Sequence, residues 1–211
     1  MASMGNPIDR TFLIASKTGL VLRAVNRLRI DVTPLAGSVS IRTNWQIPLD
    51  MVWEMTSDDF NPNAADFGGT VRFRNLQFDG YLSTLGTDSG SLLLHPFAAS
   101  GDGATVQLWN LTIARGPAPS SWNWTQYTPG GAILKAIVPQ AYESFPGGAA
   151  IRPNFDYDRN LNILGDGPYV AGSAVEAWDG WSGGADNEVW MLLPYDPSAP
   201  PIDPPDGQPH I

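Results

Sequence analysis

Three stretches of this chain close on the same kind of segment: MVWEM at residues 51–55, VQLWNL at 106–111 and EVWMLL at 188–193. Each is preceded by three short apolar runs in the same order. The first copy reads RTFLIASK (10–17), LVLRAV (20–25), SVSIRTNW (38–45) and DMVWEM (50–55). The second reads TVRFRNLQF (70–78), YLSTLG (81–86), SLLLHPF (91–97) and TVQLWNL (105–111). The third reads AAIRPNF (149–155), NLNILG (160–165), AVEAWDGW (174–181) and NEVWML (187–192). A unit of four short strands cannot bury its own apolar face, whereas three such units can close around a shared axis and hide their sheet edges. The repeat therefore predicts an all-β fold of twelve strands, with repeats over 10–56, 70–113 and 149–194. Residues 114–148 are an insertion that lengthens the interval from Trp109 to Trp190. Alternation along the closing strands points Trp53, Trp109 and Trp190 one way, into a core layer shared with Ile14, Phe73 and Ile151. Loss of any one of these indoles is expected to cost about 3–5 kcal/mol.

The rest of the chain agrees with this reading. Its 22 Gly and 19 Pro interrupt the apolar runs at short intervals, which is strand and turn punctuation. The best helical candidate, AILKAIVPQAY (132–142), is cut by Pro139. At 211 residues the chain suits one domain, placed at 8–196, followed by a Pro-rich extended tail at 197–211. With no cysteine, neither disulfides nor a thiolate site is available. The 12 basic residues against 21 acidic ones, a net charge of −9, exclude a phosphate-binding surface, so nucleic acid is not an expected partner. No apolar run reaches the roughly 18–20 residues a membrane helix needs. MASMGNPIDR lacks the basic and apolar regions of a signal peptide, giving a cytoplasmic location as written, or secretion by a route that needs none. The sequons at Asn110 and Asn123 matter only in a eukaryotic secretory pathway. A monomer or a homodimer is equally compatible with the sequence.

The third copy, from NLNILGDG to GSAVEAWDGWSGGADNEVWMLL, resembles the repeat of the ricin B-type β-trefoil lectins, whose repeats end in a Gln-x-Trp strand. The second copy keeps that pair as Gln107 and Trp109, the third has Glu188 for Gln, and the first has Met51. The resemblance covers roughly residues 8–195 and implies a β-trefoil. It further implies a sugar in a shallow pocket of one repeat, stacked on an aromatic ring of the third strand and held by polar side chains. Carried over by position, the ring is Trp178, the polar residue two before it Glu176, and the closing-strand Asn is Asn187, with Glu188 beside it. The family's usual Asp falls at Leu164, and Asp166 is the nearest carboxylate after it. Galactose-like sugars are what the resemblance implies as ligand.

The chemistry of such a site does not depend on the family. A pyranose offers an apolar face of C–H groups and a rim of hydroxyls, which calls for a flat ring beside side chains that accept and donate in a fork. The segment AWDGWSGGADN supplies Trp178 and Trp181 as rings, Asp179, Asp186 and Asn187 as forks, and Gly180, Gly183 and Gly184 for close backbone approach. The other reading of the same residues is a pair of indoles packed on the barrel and a polar turn. The second copy has Val106 at the closing-Asn position and His95, Pro96 and Phe97 at the ring position. The first offers Trp45 with Asn44, Gln46 and Asp50, with Arg23 where an acid is wanted.

Trp122 and Trp124 alternate along the insertion, as a contact surface for a protein partner or as a lid over the barrel. The second function class is thus a protein-binding trefoil, a protease inhibitor or toxin-complex component acting through 114–148. DYDRN (156–160) and the pair Asp58 and Asp59 do not match calcium-loop spacing and read as solvated loops, so no metal or cofactor is expected. No catalysis is expected either. There is no Cys, only His95 and His210, no Gly-x-Ser-x-Gly, and Glu176 with Asp179 or Asp186 lacks a deep cleft for glycoside hydrolysis.

Overall fold

A computed structural model describes residues 10–35, 47–57, 70–113, 148–180 and 184–195. The first repeat contributes strands β1 (Arg10–Ser16), β2 (Val21–Asn26), β3 (Arg29–Thr33) and β4 (Val52–Thr56). The second contributes β5 (Thr70–Asn75), β6 (Gly80–Thr84), β7 (Leu92–His95) and β8 (Trp109–Ile113). The third contributes β9 (Ala149–Pro153), β10 (Arg159–Ile163), β11 (Val175–Asp179) and β12 (Trp190–Pro194).

First and last strands pair antiparallel around a ring: β1 with β4, β4 with β5, β5 with β8, β8 with β9, β9 with β12 and β12 with β1. This is a closed six-stranded barrel, and the three tryptophans mark its internal threefold. Trp53 lies opposite Phe12 and Asn75, Trp109 opposite Val71 and Pro153, and Trp190 opposite Ala149 and Ser16. The middle strands form hairpins β2–β3, β6–β7 and β10–β11. These lace into one another cyclically: Val32 N–H donates to Ser173 O, Ala177 N–H to Gly90 O, and Leu94 N–H to Arg27 O. Gly90 is required at its crossing, because a Cβ there would sit 2.6 Å from the Ala177 carbonyl oxygen. The fold is a β-trefoil, with twelve strands among the described residues.

The three closing tryptophans are fully buried and share one core cluster with Ile14, Phe73 and Ile151, as the repeat predicts. In the third repeat the closing strand keeps the expected alternation of faces but not an alternation of apolar with polar residues. Trp190 and Leu192 face the barrel core, while Met191 and Leu193 enter a second apolar cluster with Leu13, Ala15, Leu35, Ile47, Met51 and Val52. Leu13 and Ala15 of β1, Val52 of β4 and Met191 and Leu193 of β12 are therefore covered on the outer face as well.

Four of the strands differ in their boundaries from the sequence reading by enough to matter. The third strand of the first repeat is Arg29–Thr33, whereas the run at 38–45 lies outside the described residues. Ile30 and Val32 face the core, and Asp31 is tolerated at 1% exposure because Arg23 and Arg29 both reach its carboxylate, at 3.0 and 3.4 Å. The closing strands of the second and third repeats open on their tryptophans. Residues Gly101–Thr105, which overlap the expected start in the second, form a short helix. Gln107 braces the turn between that helix and β8, its amide accepting from Ala98 N–H and donating to Pro96 O. The third strand of the third repeat is Val175–Asp179, shorter than 174–181. Most of the insertion and the tail, with Trp122, Trp124 and His210, lie outside the described residues, as do Asp58 and Asp59.

Candidate functional site

The β10–β11 hairpin of the third repeat pairs Asn160 with Trp178, Leu161 with Ala177, Asn162 with Glu176 and Ile163 with Val175. The period of two sends Leu161, Ile163, Val175 and Ala177 into the core and leaves the alternate residues on the other face. Two of those are pinned. Asn160 accepts from Ile151 N–H and donates to Glu188 O, which locks the hairpin to the barrel. Asn162 accepts from Asn187 Nδ2 at 2.6 Å, and the same nitrogen donates to Ile163 O at 2.9 Å. Ile163 N–H in turn donates to Asn187 O, so Asn187 is clasped to the end of β10 by both backbone and side chain.

Around this amide pair lies an open depression of about 420 Å³, lined by Asn162, Leu164, Gly165, Asp166, Trp178 and Asn187. Trp178 is 52% exposed, a large cost for an indole unless something covers it. Asn162 is only 8% exposed, its Oδ1 taken by Asn187, while its Nδ2 has no partner among the described residues. Asp166 is exposed at the rim, without a partner among the described residues. It stands between Gly165 (φ 102°) and Gly167 (φ 80°), whose left-handed backbone turns the loop back toward the depression. Tyr169 donates its hydroxyl to Gly165 O and steadies that loop. Burial, and then the negative field of Asp166, Asp186 and Glu188, pushes the Tyr169 phenol above its ordinary pKa.

Of the residues singled out in the sequence, Asp166, Trp178 and Asn187 line the depression together, and Leu164 lines it where the family's usual Asp falls. Glu176 and Asp179 lie on the same strand but are not among the lining residues. Glu188 is 2% exposed, and its carboxylate accepts from Gly184 and Ala185 N–H, closing the turn before β12. Asp186 is held by Lys17 at 2.7 Å. Trp181 and Gly183 lie outside the described residues. Asn162 was not singled out, although the alternation of NLNILG set against Glu176 carried the signal.

Threefold equivalence shows why the other repeats differ. Counting from the Leu that faces each core tryptophan, Asn162, Glu176 and Asn187 correspond to Arg23, Asp31 and Asp50 in the first repeat. There the space is taken by the chain's own Arg23–Asp31 ion pair, and Thr33 stands where Trp178 supplies a ring. Burial raises the Asp50 carboxyl above its ordinary pKa; Arg23 opposes that and Asp31 adds to it. In the second repeat the equivalents are Ser83, Leu93 and Val106, with His95 at the ring position. Of the first repeat's other candidates, Asn44, Trp45 and Gln46 lie outside the described residues.

The fold and this pocket define a β-trefoil with one aromatic, amide-lined depression on its third repeat. The comparisons with known proteins agree on the fold. No protein-family model matches the sequence, and no curated protein does. Solved structures do match in fold. The Rhizoctonia solani agglutinin is 14% identical with a TM-score of 0.52, covering 92% of this chain and 100% of its own. The Macrolepiota procera ricin B-like lectin, solved in complex with lactose, is 16% identical with a TM-score of 0.50, covering 87% and 94%. A mosquitocidal holotoxin is 14% identical with a TM-score of 0.54; the match covers 90% of this chain, which spans only 17% of the toxin. The structural neighbours are thus trefoil lectins and toxin components.

Proposed function

We propose that this protein is a non-catalytic carbohydrate-binding lectin whose site is the third-repeat depression. The observation that carries the reading is the half-exposed Trp178 ring beside the Asn162–Asn187 amide pair and the Asp166 carboxylate. The indole offers the flat surface that the C–H face of a pyranose needs. Asn162 Nδ2 donates to a hydroxyl oxygen, and Asp166 accepts from one or two hydroxyl protons. A galactose-like ligand is favoured by the resemblance to the ricin B-type repeat and by the lactose held by the Macrolepiota lectin. Asp166 is the one carboxylate of the lining, whereas glycoside hydrolysis calls for two opposed across the bond, so the site is suited to binding and not to cleavage. Isothermal titration with lactose and with a panel of free oligosaccharides tests this. Saturable binding lost in Trp178→Ala supports it, and binding unchanged in Trp178→Ala combined with Asp166→Ala overturns the site.

A second reading is favoured by the holotoxin match: this trefoil serves as a recognition module in a larger assembly, with residues 114–148 as its protein contact. Deleting 120–127 then abolishes partner capture while sugar binding persists.

A further inference from the structure

The proposed sugar site has a charge character that its six lining residues fix. Among them Asp166 is the single ionisable group, with no Lys or Arg. Among the described residues, Lys17 is engaged by Asp186 and Arg159 by Asp156. The same lining holds Trp178, whose indole is half exposed. A carboxylate and an exposed indole lining one depression suit a cation, one through charge and the other through the ring quadrupole. The lining also holds Asn162, 8% exposed, whose Oδ1 is fixed by Asn187 and whose Nδ2 has no partner among the described residues and so is free to donate to a ligand hydroxyl.

From Asp166 and Trp178 lining one depression that carries no cation of its own, we infer that the ligand class is an amino sugar carrying its protonated amine, selected over the neutral sugar and, more strongly, over sugar acids. This deepens the lectin reading and rests on it. The ammonium lies against Asp166 and the edge of the Trp178 face, while the ring hydroxyls keep the amide contacts. A uronic or sialic carboxylate in the same pose meets Asp166 with like charge and finds no guanidinium or ammonium among the described lining residues to answer it. The negative field felt by Tyr169, to which Asp166, Asp186 and Glu188 all contribute, has the same sign. The chain's net charge of −9 adds a steering field that favours approach of cations.

The test is titration calorimetry at pH 6 of the full chain with methyl glycosides of galactosamine, galactose and galacturonic acid, and with the matching glucose series. An exposed ion pair is worth about two- to fivefold and a cation–π contact about the same, so the amine is expected to bind about three- to tenfold tighter than the neutral sugar. The acid is expected to bind weakest. Asp166→Asn, at an exposed position where the fold is insensitive, should reduce the amine preference to about onefold or twofold, read as the ratio of amine to neutral-sugar affinity within the variant, since both sugars lose the Asp166 hydroxyl contact alike. Raising NaCl from 0.05 to 0.5 M should shrink the preference in the wild type only. Equal binding of amine and neutral sugar overturns the inference and leaves the lectin reading standing, as does a preference that survives Asp166→Asn. Absence of binding by every sugar in both series overturns both.

Discussion

The indole N–H of Trp190 donates to the carbonyl of Leu161 at 2.7 Å, and the same bond recurs from Trp53 to Leu22 at 3.1 Å and from Trp109 to Leu82 at 2.9 Å. Each closing strand is thereby tied to the second strand of its own repeat at the level where hairpin meets barrel. The tryptophans are bolts as well as filler. Trp190→Phe keeps most of the apolar contact but removes the donor, leaving a core carbonyl short of a partner, at a cost of about 1–3 kcal/mol. Trp190→Ala should cost about 3–5 kcal/mol. Urea denaturation reads both, and a Phe variant within about 0.5 kcal/mol of wild type would show that the bond contributes nothing net.

Trp178 predicts the reverse pattern. It is half exposed at the end of a hairpin whose opposite face already fills the core, so Trp178→Ala is expected to change unfolding free energy by no more than about 0.5 kcal/mol. Sugar affinity should fall about tenfold or more, since stacking and area burial on the ring go together. A large stability loss without a change in binding would identify Trp178 as packing.

Asn187 should show both effects at once. Its Nδ2 serves Asn162 Oδ1 and the Ile163 carbonyl together, and an aspartate there faces two acceptors with no proton to give. Asn187→Asp is therefore expected to lose about 1–3 kcal/mol of stability and to weaken sugar binding, because Asn162 is no longer oriented. Intact binding in a destabilised Asn187→Asp would separate the amide pair from the site.

What the sequence disclosed follows from the range of the forces involved. A large apolar residue recurring at the end of each repeat has to be buried, and the three tryptophans were legible for that reason. Their hydrogen bonds were not, because the acceptor is a backbone carbonyl on another strand. The strand Arg29–Thr33 was missed because its Asp31 looks incompatible with a core; only the cross-strand arrival of Arg23 and the neighbouring Arg29 makes it acceptable. The second apolar cluster was missed because alternation was expected where Met191 and Leu193 are covered from outside. In the site, Trp178, Asn187 and Asp166 were found through repeat position and ring chemistry. Asn162 was hinted at by the alternation of NLNILG, but its place opposite Glu176 is fixed only by the strand register.

The buried ion pair of the first repeat gives a further expectation. Asp31 is 1% exposed and holds Arg23, whose own side chain keeps 26% exposure. Asp31→Ala strands a partly desolvated guanidinium, and its cost should lie toward the lower end of the 3–5 kcal/mol typical of breaking a fully buried pair, at about 3 kcal/mol. Thermal unfolding of Asp31→Ala alongside Asp31→Asn checks this. A loss below about 1 kcal/mol would mean that Arg23 finds water without penalty.

Asp50 sits where the third repeat has Asn187, and this substitution has a pH signature. One of its carboxylate oxygens, Oδ1, is buried without a partner among the described residues, and burial holds its pKa above the ordinary carboxylate value, more than Arg23 nearby can offset. A carboxyl whose folded pKa exceeds its unfolded one binds its proton more tightly in the native state. Its ionisation then opposes folding: the penalty is absent below the unfolded pKa and grows as pH rises through the folded value. Asp50→Asn removes the charge while the backbone carbonyl still accepts from Asn75 Nδ2. The variant should therefore melt at a higher temperature than wild type at pH 7, with the difference vanishing as pH falls through the ordinary carboxylate range near pH 4. Differential scanning calorimetry from pH 3 to 8 decides it. A difference that stays constant with pH, or a variant less stable than wild type at pH 7, would mean that the Asp50 charge is satisfied in the native protein.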